Sequence, residues 1–370
     1  MLKCFTVENF KGIKEKVVFD LTAHDYHFNK QLINNNIVNK ALIYGNNGSC
    51  KSTLGIALFD ILSHLTNKYN INQKNVLNYL NLESNKKEAL FKYIFKFNND
   101  EVIYEYSKKS INDLGFEKLT INKDIIVHYN YDNDSIKYIN NELLGNLNLN
   151  LYDNKTSIIK YIYLNIHKEQ IPLLNEMISF CDNMLYLSNL SIDNISIDND
   201  LKYSNIYTNI IDKLYQSNKL KEFESFLYDN NGIKYNLEFN KINQRNELFV
   251  VFGNNKVPFL DIASKSSKVL LTFYVLSLDF DNLSFLFIDN FDLYINHNIL
   301  ENIIKIINNN EKFQAIVTLN NTYLMQNELT RPDCCYIYKN NKISNLSCST
   351  DKEIREGHNL EKMYLNNVFN

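Results

Sequence analysis

Proline and glycine are scarce in this chain of 370 residues, with three prolines and nine glycines. Turns that need a left-handed backbone must then fall to asparagine, which tolerates that region better than most residues. Asparagine does run through the whole sequence, in an Asn, Ile, Lys and Tyr bias typical of an AT-rich coding sequence. The six cysteines (Cys4, Cys50, Cys181, Cys334, Cys335, Cys348) include no C-x-x-C spacing, so a zinc finger or ribbon is not expected. They read as small buried thiols of a reducing compartment, with the adjacent Cys334 and Cys335 on opposite faces of a strand. A large excess of one charge sign is missing too. A formal net charge of −3 argues against a surface coated for nucleic acid, although it leaves room for a local basic patch. No run of 18 apolar residues occurs, so no membrane span is expected. The opening "MLKCFTVENFKGIKEK" alternates and carries charge early, unlike a signal peptide, and a cytoplasmic location is expected.

What is present is a globular composition, 45% hydrophobic and 22% charged, long enough for one large domain with an insertion or for two domains. "LKCFTVENFKGIKEKVVFDL" reads as a hairpin around Lys11-Gly12. "ALIY" (41–44) is a short buried strand. From Ser52 to Leu65, apolar residues recur at helical spacing. Residues 90–131 read as β structure, with a turn at Asn98-Asn99-Asp100. Residues 155–230 read as a compact helical insertion, interrupted by Pro172 and by the loop "SIDNISIDND", and without a sustained heptad. "IKYNLEFNKI" and "ELFVVFG" form a second hairpin, followed by a helix over 266–278. The buried strand "LSFLFIDN", the helix "NHNILENIIKII" and the strand "FQAIVTLN" complete a strand and helix alternation. "CCYIYKNNKISNLS" is a last hairpin turning at Asn340-Asn341. The expected division is residues 1–150, the helical insertion 151–232, and 233–370.

The chemistry concentrates in "ALIYGNNGSCKST". A phosphate-binding loop reads glycine, four free positions, then Gly-Lys-Ser/Thr, between a strand and a helix. Gly45, Lys51 and Ser52 satisfy it in that context, while Cys50 stands where the second glycine belongs. The strand "FLFI" running into Asp289 supplies the second half of a nucleotide site, a carboxylate that holds Mg²⁺ together with Ser52. His24 and His27 lie in a loop with no third ligand and read as surface imidazoles. Lys265 and Lys268 read as a solvated helix start.

Six segments in order carry a family resemblance: "FTVENFKGIKEKVVFDL", "GNNGSCKST", "FLDIASKSSKVLLTFYVL", "LFIDNFD", "IVTLNNTYLMQNELTRPDCCYIY" and "REGHNLEKMY". Together they resemble the ABC/SMC-like AAA ATP-binding proteins of abortive infection and phage defence, relatives of RecF and of the ATPase half of the OLD nucleases. The resemblance implies an α/β, ABC-like P-loop NTPase fold with an antiparallel β subdomain and a helical insertion. It implies ATP and Mg²⁺ as cofactors, held by Gly45, Asn46, Asn47, Gly48, Ser49, Cys50, Lys51, Ser52 and Thr53 with Asp289. It also implies a homodimer or higher homo-oligomer, in which Ser264 and Ser266 of the signature segment meet the partner's nucleotide. A nuclease or toxin effector is the further partner it suggests.

Four positions depart from the family pattern. Cys50 replaces a glycine that lets backbone N–H groups approach a phosphate, at roughly 1–3 kcal/mol if the backbone is left-handed there. Asn290 replaces the glutamate that polarises the attacking water, and loss of a general base costs on the order of 10²- to 10⁴-fold in rate. Asn320 replaces the histidine that contacts the γ-phosphate, and Ser266 replaces the signature glycine at a helix N-terminus. Three readings follow: an ATP-dependent switch with slow hydrolysis, a catalytically dead scaffold for an active paralogue, or a RecF-like DNA-associated ATPase. No basic run in the sequence supports the last.

Overall fold

The computed structural model describes residues 1–66, 78–133, 135–145, 147, 156–188, 210–242, 245–293 and 295–369. The loop "SIDNISIDND" (191–200) lies outside them. The chain opens with β1 (Leu2–Glu8) and β2 (Val17–Asp20), passes a short ribbon of β3 (Ile33–Asn34) and β4 (Ile37–Val38), and enters β5 (Lys40–Tyr44). Helices α1 (Lys51–Phe59) and α2 (Leu62–Leu65) precede a meander of β6 (Ala89–Phe97), β7 (Asp100–Ser110), β8 (Asp113–Ile121), β9 (Asp124–Asn130) and β10 (Ser135–Ile139). Then come α3 (Ile158–Asn165), α4 (Pro172–Asp182), β11 (Met184–Ser188), α5 (Ile210–Ser217) and α6 (Leu220–Asn231). A ribbon of β12 (Leu237–Ile242), β13 (Arg245–Phe252) and β14 (Asn255–Pro258) leads to α7 (Lys265–Ser277), β15 (Phe285–Asp289), α8 (His297–Asn308) and β16 (Gln314–Leu319). The hairpin β17 (Cys335–Lys339) and β18 (Lys342–Asn345) and the helix α9 (Leu360–Leu365) follow.

Two sheets organise the molecule. One is antiparallel, in the order β10-β9-β8-β7-β6-β1-β2. The other runs β11-β15-β16-β5-β17-β18, parallel throughout except for the terminal β17 and β18 pair. A parallel sheet is covered on both faces, so its strands read as continuous apolar runs. Side chains of β15 alternate accordingly. Phe285 and Phe287 enter the core shared with α1 and the antiparallel sheet, and Leu286 and Ile288 enter the core beneath α5 to α8. Cys334 and Cys335 divide between the same two cores, although only Cys335 lies on a strand; Cys334 ends the 3-10 turn Pro332–Cys334 before it.

Three expectations are revised. The helical run from Ser52 divides at Asp60 and Ile61, where both residues stay right-handed helical but the Asp60 N–H bonds the Ala57 carbonyl three residues back, and the Asp60 carboxylate enters a buried polar cluster. There it accepts hydrogen bonds from the Tyr79 and Tyr106 hydroxyls, both at 3.0 Å, and pairs with Lys108 at 2.9 Å. The stretch 155–230 holds a strand as well as helices: β11 pairs in parallel with β15 at the edge of the central sheet. Pro172 does divide the helical stretch, as expected, by opening α4 after α3 has ended at Asn165; the first helical position needs no N–H donor and suits its fixed φ. Among the cysteines, Cys348 is exposed. Its sulfur lies 3.5 Å from Nε2 of His24, and the described residues contain no group of three metal-ligating side chains.

A second buried polar cluster joins the antiparallel sheet to α2 and α3. Glu117 is fully buried and accepts from the Ser157 hydroxyl at 2.6 Å, the Ile158 amide at 2.8 Å, and the Tyr104 and Tyr131 hydroxyls. Burial pushes its carboxyl upward, against the pull of these donors. Burial likewise holds His64, 2.7 Å from the Tyr104 hydroxyl, well below the usual imidazole range.

Candidate functional site

All five residues of β5 are buried. The strand is paired with β16 on one side and with β17 on the other. The chain leaves it at Gly45, where a Cβ would lie 2.6 Å from the Tyr338 carbonyl oxygen and 2.7 Å from Ser49 Oγ. Only glycine permits that approach. Gly48 takes φ +82°, and Cys50 takes φ 69°, ψ 20° as the N-cap of α1. The position thus requires a left-handed backbone, and the thiol sits there under strain. Its sulfur finds space against the hairpin tip between β1 and β2, 3.6 Å from the Gly12 carbonyl. A Cβ at Gly12 would come within 2.9 Å of it. Cys50→Gly is expected to be neutral or stabilising by up to about 1 kcal/mol, and Cys50→Val to cost about 1–3 kcal/mol, both read from urea denaturation. A valine variant as stable as the parent would show that residue 50 does not need this backbone.

Helix α1 carries Lys51 and Ser52 and is pressed onto the sheet at Gly55, where a Cβ would meet Phe287 and Tyr186 ring carbons at 2.6–2.7 Å. Lys51 is buried. Its ammonium donates to the Gly45 carbonyl at 2.5 Å, the Asn46 carbonyl at 3.3 Å and Asn320 Oδ1 at 3.1 Å. Burial lowers its pKa, while Asp289 and Asp292 act to raise it.

Asp289 ends β15 with its carboxylate buried. Oδ1 accepts from the Thr318 hydroxyl at 2.6 Å, and Oδ2 accepts from Asn290 Nδ2 at 3.1 Å and from the Tyr186 hydroxyl at 3.4 Å. Asn290 is left-handed, with φ 51°, a conformation its short amide side chain accommodates. Its backbone N–H donates to Thr318 Oγ1 at 2.8 Å, and its Nδ2 also lies 3.4 Å from Ser52 Oγ. An amide NH₂ therefore stands between the loop hydroxyl and the carboxylate. Asn320 closes the arrangement, with Nδ2 3.5 Å from Asn290 Oδ1 and 3.2 Å from Asp292 Oδ1.

The structure thus brings Lys51, Ser52, Asp289, Asn290 and Asn320 together. Ser264 and Ser266 stand apart: among the described residues neither hydrogen-bonds to the loop. Ser264 caps α7 by accepting from the Ser267 amide and meets the Ser266 and Ser267 hydroxyls, both at 2.9 Å. Ser267 is buried and bonded to Asn231 and Tyr235.

Sequence reasoning missed four partners. Asp292 holds the backbone N–H groups of Asn320 and Asn321 at 2.8 and 2.7 Å. It stands inside "LFIDNFD", so its signal was available. Thr318 was visible only as a polar residue in an apolar run. Tyr186 and Ser267 reach their positions through tertiary packing and left no local signal.

The family model described as "AAA domain, putative AbiEii toxin, Type IV TA system" matches residues 40–318. No curated protein matches. Solved structures with similar folds include the SMC head domain from Thermotoga maritima, at 15% identity and TM-score 0.44, covering 93% of this chain and 98% of that one. The Smc head domain from Pyrococcus furiosus bound to the C-terminal domain of ScpA aligns at 13% identity and TM-score 0.46, over 94% and 97% of the two chains. The recombination mediator protein RecF of the RecFOR pathway aligns at 12% identity and TM-score 0.41, over 94% and 98%. The expected α/β fold with an antiparallel β subdomain is the one observed, its parallel sheet delivering β5 to the loop before α1, and the matching family model is that of an AAA domain.

Proposed function

We propose a function from one premise, that the chain belongs to the AAA-domain family described as putative AbiEii toxin, Type IV TA system: it is an ATP-binding switch, slow in hydrolysis, that controls a partner effector. The observation that carries the reading is the convergence of Lys51, Ser52, Asp289, Asn290 and Asn320 on one loop. An ammonium and the backbone N–H groups at the start of α1 suit a polyphosphate. Ser52 Oγ and the Asp289 carboxylate are hard oxygen donors, both already touched by one amide NH₂. That pair fits a small divalent cation such as Mg²⁺. Ser52 and Asp289 would hold the metal, which supplies charge neutralisation on the phosphates.

Turnover is a separate matter. The amide of Asn290 orients a water molecule but takes no proton from it, and Asn320 offers an amide where an imidazole would contact the terminal phosphate. Binding without rapid hydrolysis suits a protein that holds a closed state. Two copies would meet with Ser264 and Ser266 of one facing the loop of the other, and the closed pair would signal to a nuclease or toxin in an anti-phage response. The family's printed description, naming a toxin and antitoxin system, supports that setting.

The reading is tested by thermal and chemical unfolding of the whole chain with and without Mg-ATP. Ligand at 100 times its Kd is expected to add about 2.7 kcal/mol, and Lys51→Ala is expected to abolish the gain. No stabilisation of the parent chain would favour the dead scaffold instead.

A further inference from the structure

The phosphate loop has a second side. Gly45 to Ser49, the turn of the β17 and β18 hairpin, and residues 364–369 enclose a pocket of about 930 Å³. Its place follows from the order of the central sheet, which sets β16 and β15 on one side of β5 and β17 and β18 on the other. Asp289, Asn290 and Asn320 all lie on the β15 and β16 side, with the Lys51 ammonium turned toward Asn320. A triphosphate with its terminal phosphate at that end extends its nucleoside the opposite way, over β17 and β18, which is where the pocket lies.

The lining suits a nucleoside. Among its lining residues are the aromatic Tyr364, the amides Asn340 and Asn367, which both donate and accept, and the cation Lys342. Bases stack on aromatic rings and present their hydrogen-bonding edges to such amides. The walls are fixed. Asn340 and Asn341 are both left-handed, φ 52° and 57°, in a two-residue hairpin turn. Helix α9 is capped by Asn359, and its Glu361 joins the loop after β16 twice. The Glu361 N–H donates to the Met325 carbonyl at 3.1 Å, and the Glu361 carboxylate accepts from the Thr322 hydroxyl at 2.7 Å. Thr322 lies two residues beyond Asn320, so the wall of the pocket and the catalytic end of the loop share one support.

We propose that this pocket receives the nucleoside end of the bound nucleotide, making residues 364–369 its selectivity wall. The proposal rests on the phosphate-loop reading above, and two probes separate the two: ATP and inorganic tripolyphosphate, titrated calorimetrically into the full chain. ATP is expected to bind more tightly than tripolyphosphate. Tyr364→Ala is expected to weaken ATP about tenfold and to leave tripolyphosphate unchanged, while Tyr364→Phe keeps the stack and the affinity. Asn340→Gly preserves the left-handed turn while removing one amide, and should also lower the ratio of ATP to tripolyphosphate affinity. Should both probes bind and neither Tyr364→Ala nor Asn340→Gly change that ratio, the nucleoside placement is wrong and the phosphate-loop reading survives. Equal weakening of both probes by Tyr364→Ala would likewise overturn the placement. If neither probe binds the parent chain, both readings fall.

Discussion

Asn290→Glu is expected to raise ATP turnover of the pure protein by about 10²- to 10⁴-fold in Mg²⁺, since it returns a general base to a site that otherwise offers only an amide. The expectation follows from where residue 290 sits. Its side chain touches Asp289, Ser52 and Asn320 at 3.1, 3.4 and 3.5 Å, so a carboxylate placed there lies between the proposed metal-holding pair and the terminal phosphate. Two costs accompany it. A glutamate is less at ease than asparagine at φ 51°, by about 1 kcal/mol. Two adjacent carboxylates also repel unless a cation lies between them, so the gain should vanish on chelation. Release of inorganic phosphate measures it. A glutamate variant no faster than the parent in Mg²⁺ would mean that the missing base does not limit turnover.

The second large effect is on stability. Lys108→Ala is expected to destabilise the fold by about 3–5 kcal/mol, because it leaves the Asp60 carboxylate buried without its cation. The two side chains are 0% and 3% exposed. Burial lowers the Lys108 pKa and the ion pair with Asp60 opposes that shift. Replacing both, as Asp60→Leu with Lys108→Met, should recover much of the loss. The Tyr79 and Tyr106 hydroxyls would then lose their acceptor and keep recovery incomplete. Guanidinium denaturation of the two variants provides the comparison, and a single variant within 1 kcal/mol of the parent would refute the account. Asp60 is the C-cap of the helix that Lys51 begins, so the antiparallel sheet grips that helix at the end opposite the proposed phosphate loop.

The parts of the site that are contiguous in sequence are legible in the sequence alone. The loop at 45–53 announces itself because its chemistry depends on spacing within nine residues between a strand and a helix. Asp289 was legible for a related reason: a buried parallel strand reads as an unbroken apolar run, and a carboxylate at its end is conspicuous. What escaped depends on pairing across distance. "MLYLS" (184–188) is too short for periodicity to separate a buried strand from a helix segment. Only its register against β15, with Ser188 beside Asp289 and Tyr186 beside Phe287, reveals it as the source of the hydroxyl on Asp289. The polar cluster at Asp60 was hidden likewise, since helical spacing continues through it and its partners come from β7 and from residue 79.

The hairpin tip at Gly12 and the loop residue Cys50 are coupled through one contact. The Cys50 sulfur rests beside the bare Cα of Gly12, where a Cβ would stand 2.9 Å from it. A side chain at 12 would therefore turn the thiol into another rotamer, so a substitution on this exposed tip is felt 38 residues away, at the N-terminus of the helix that opens on Lys51.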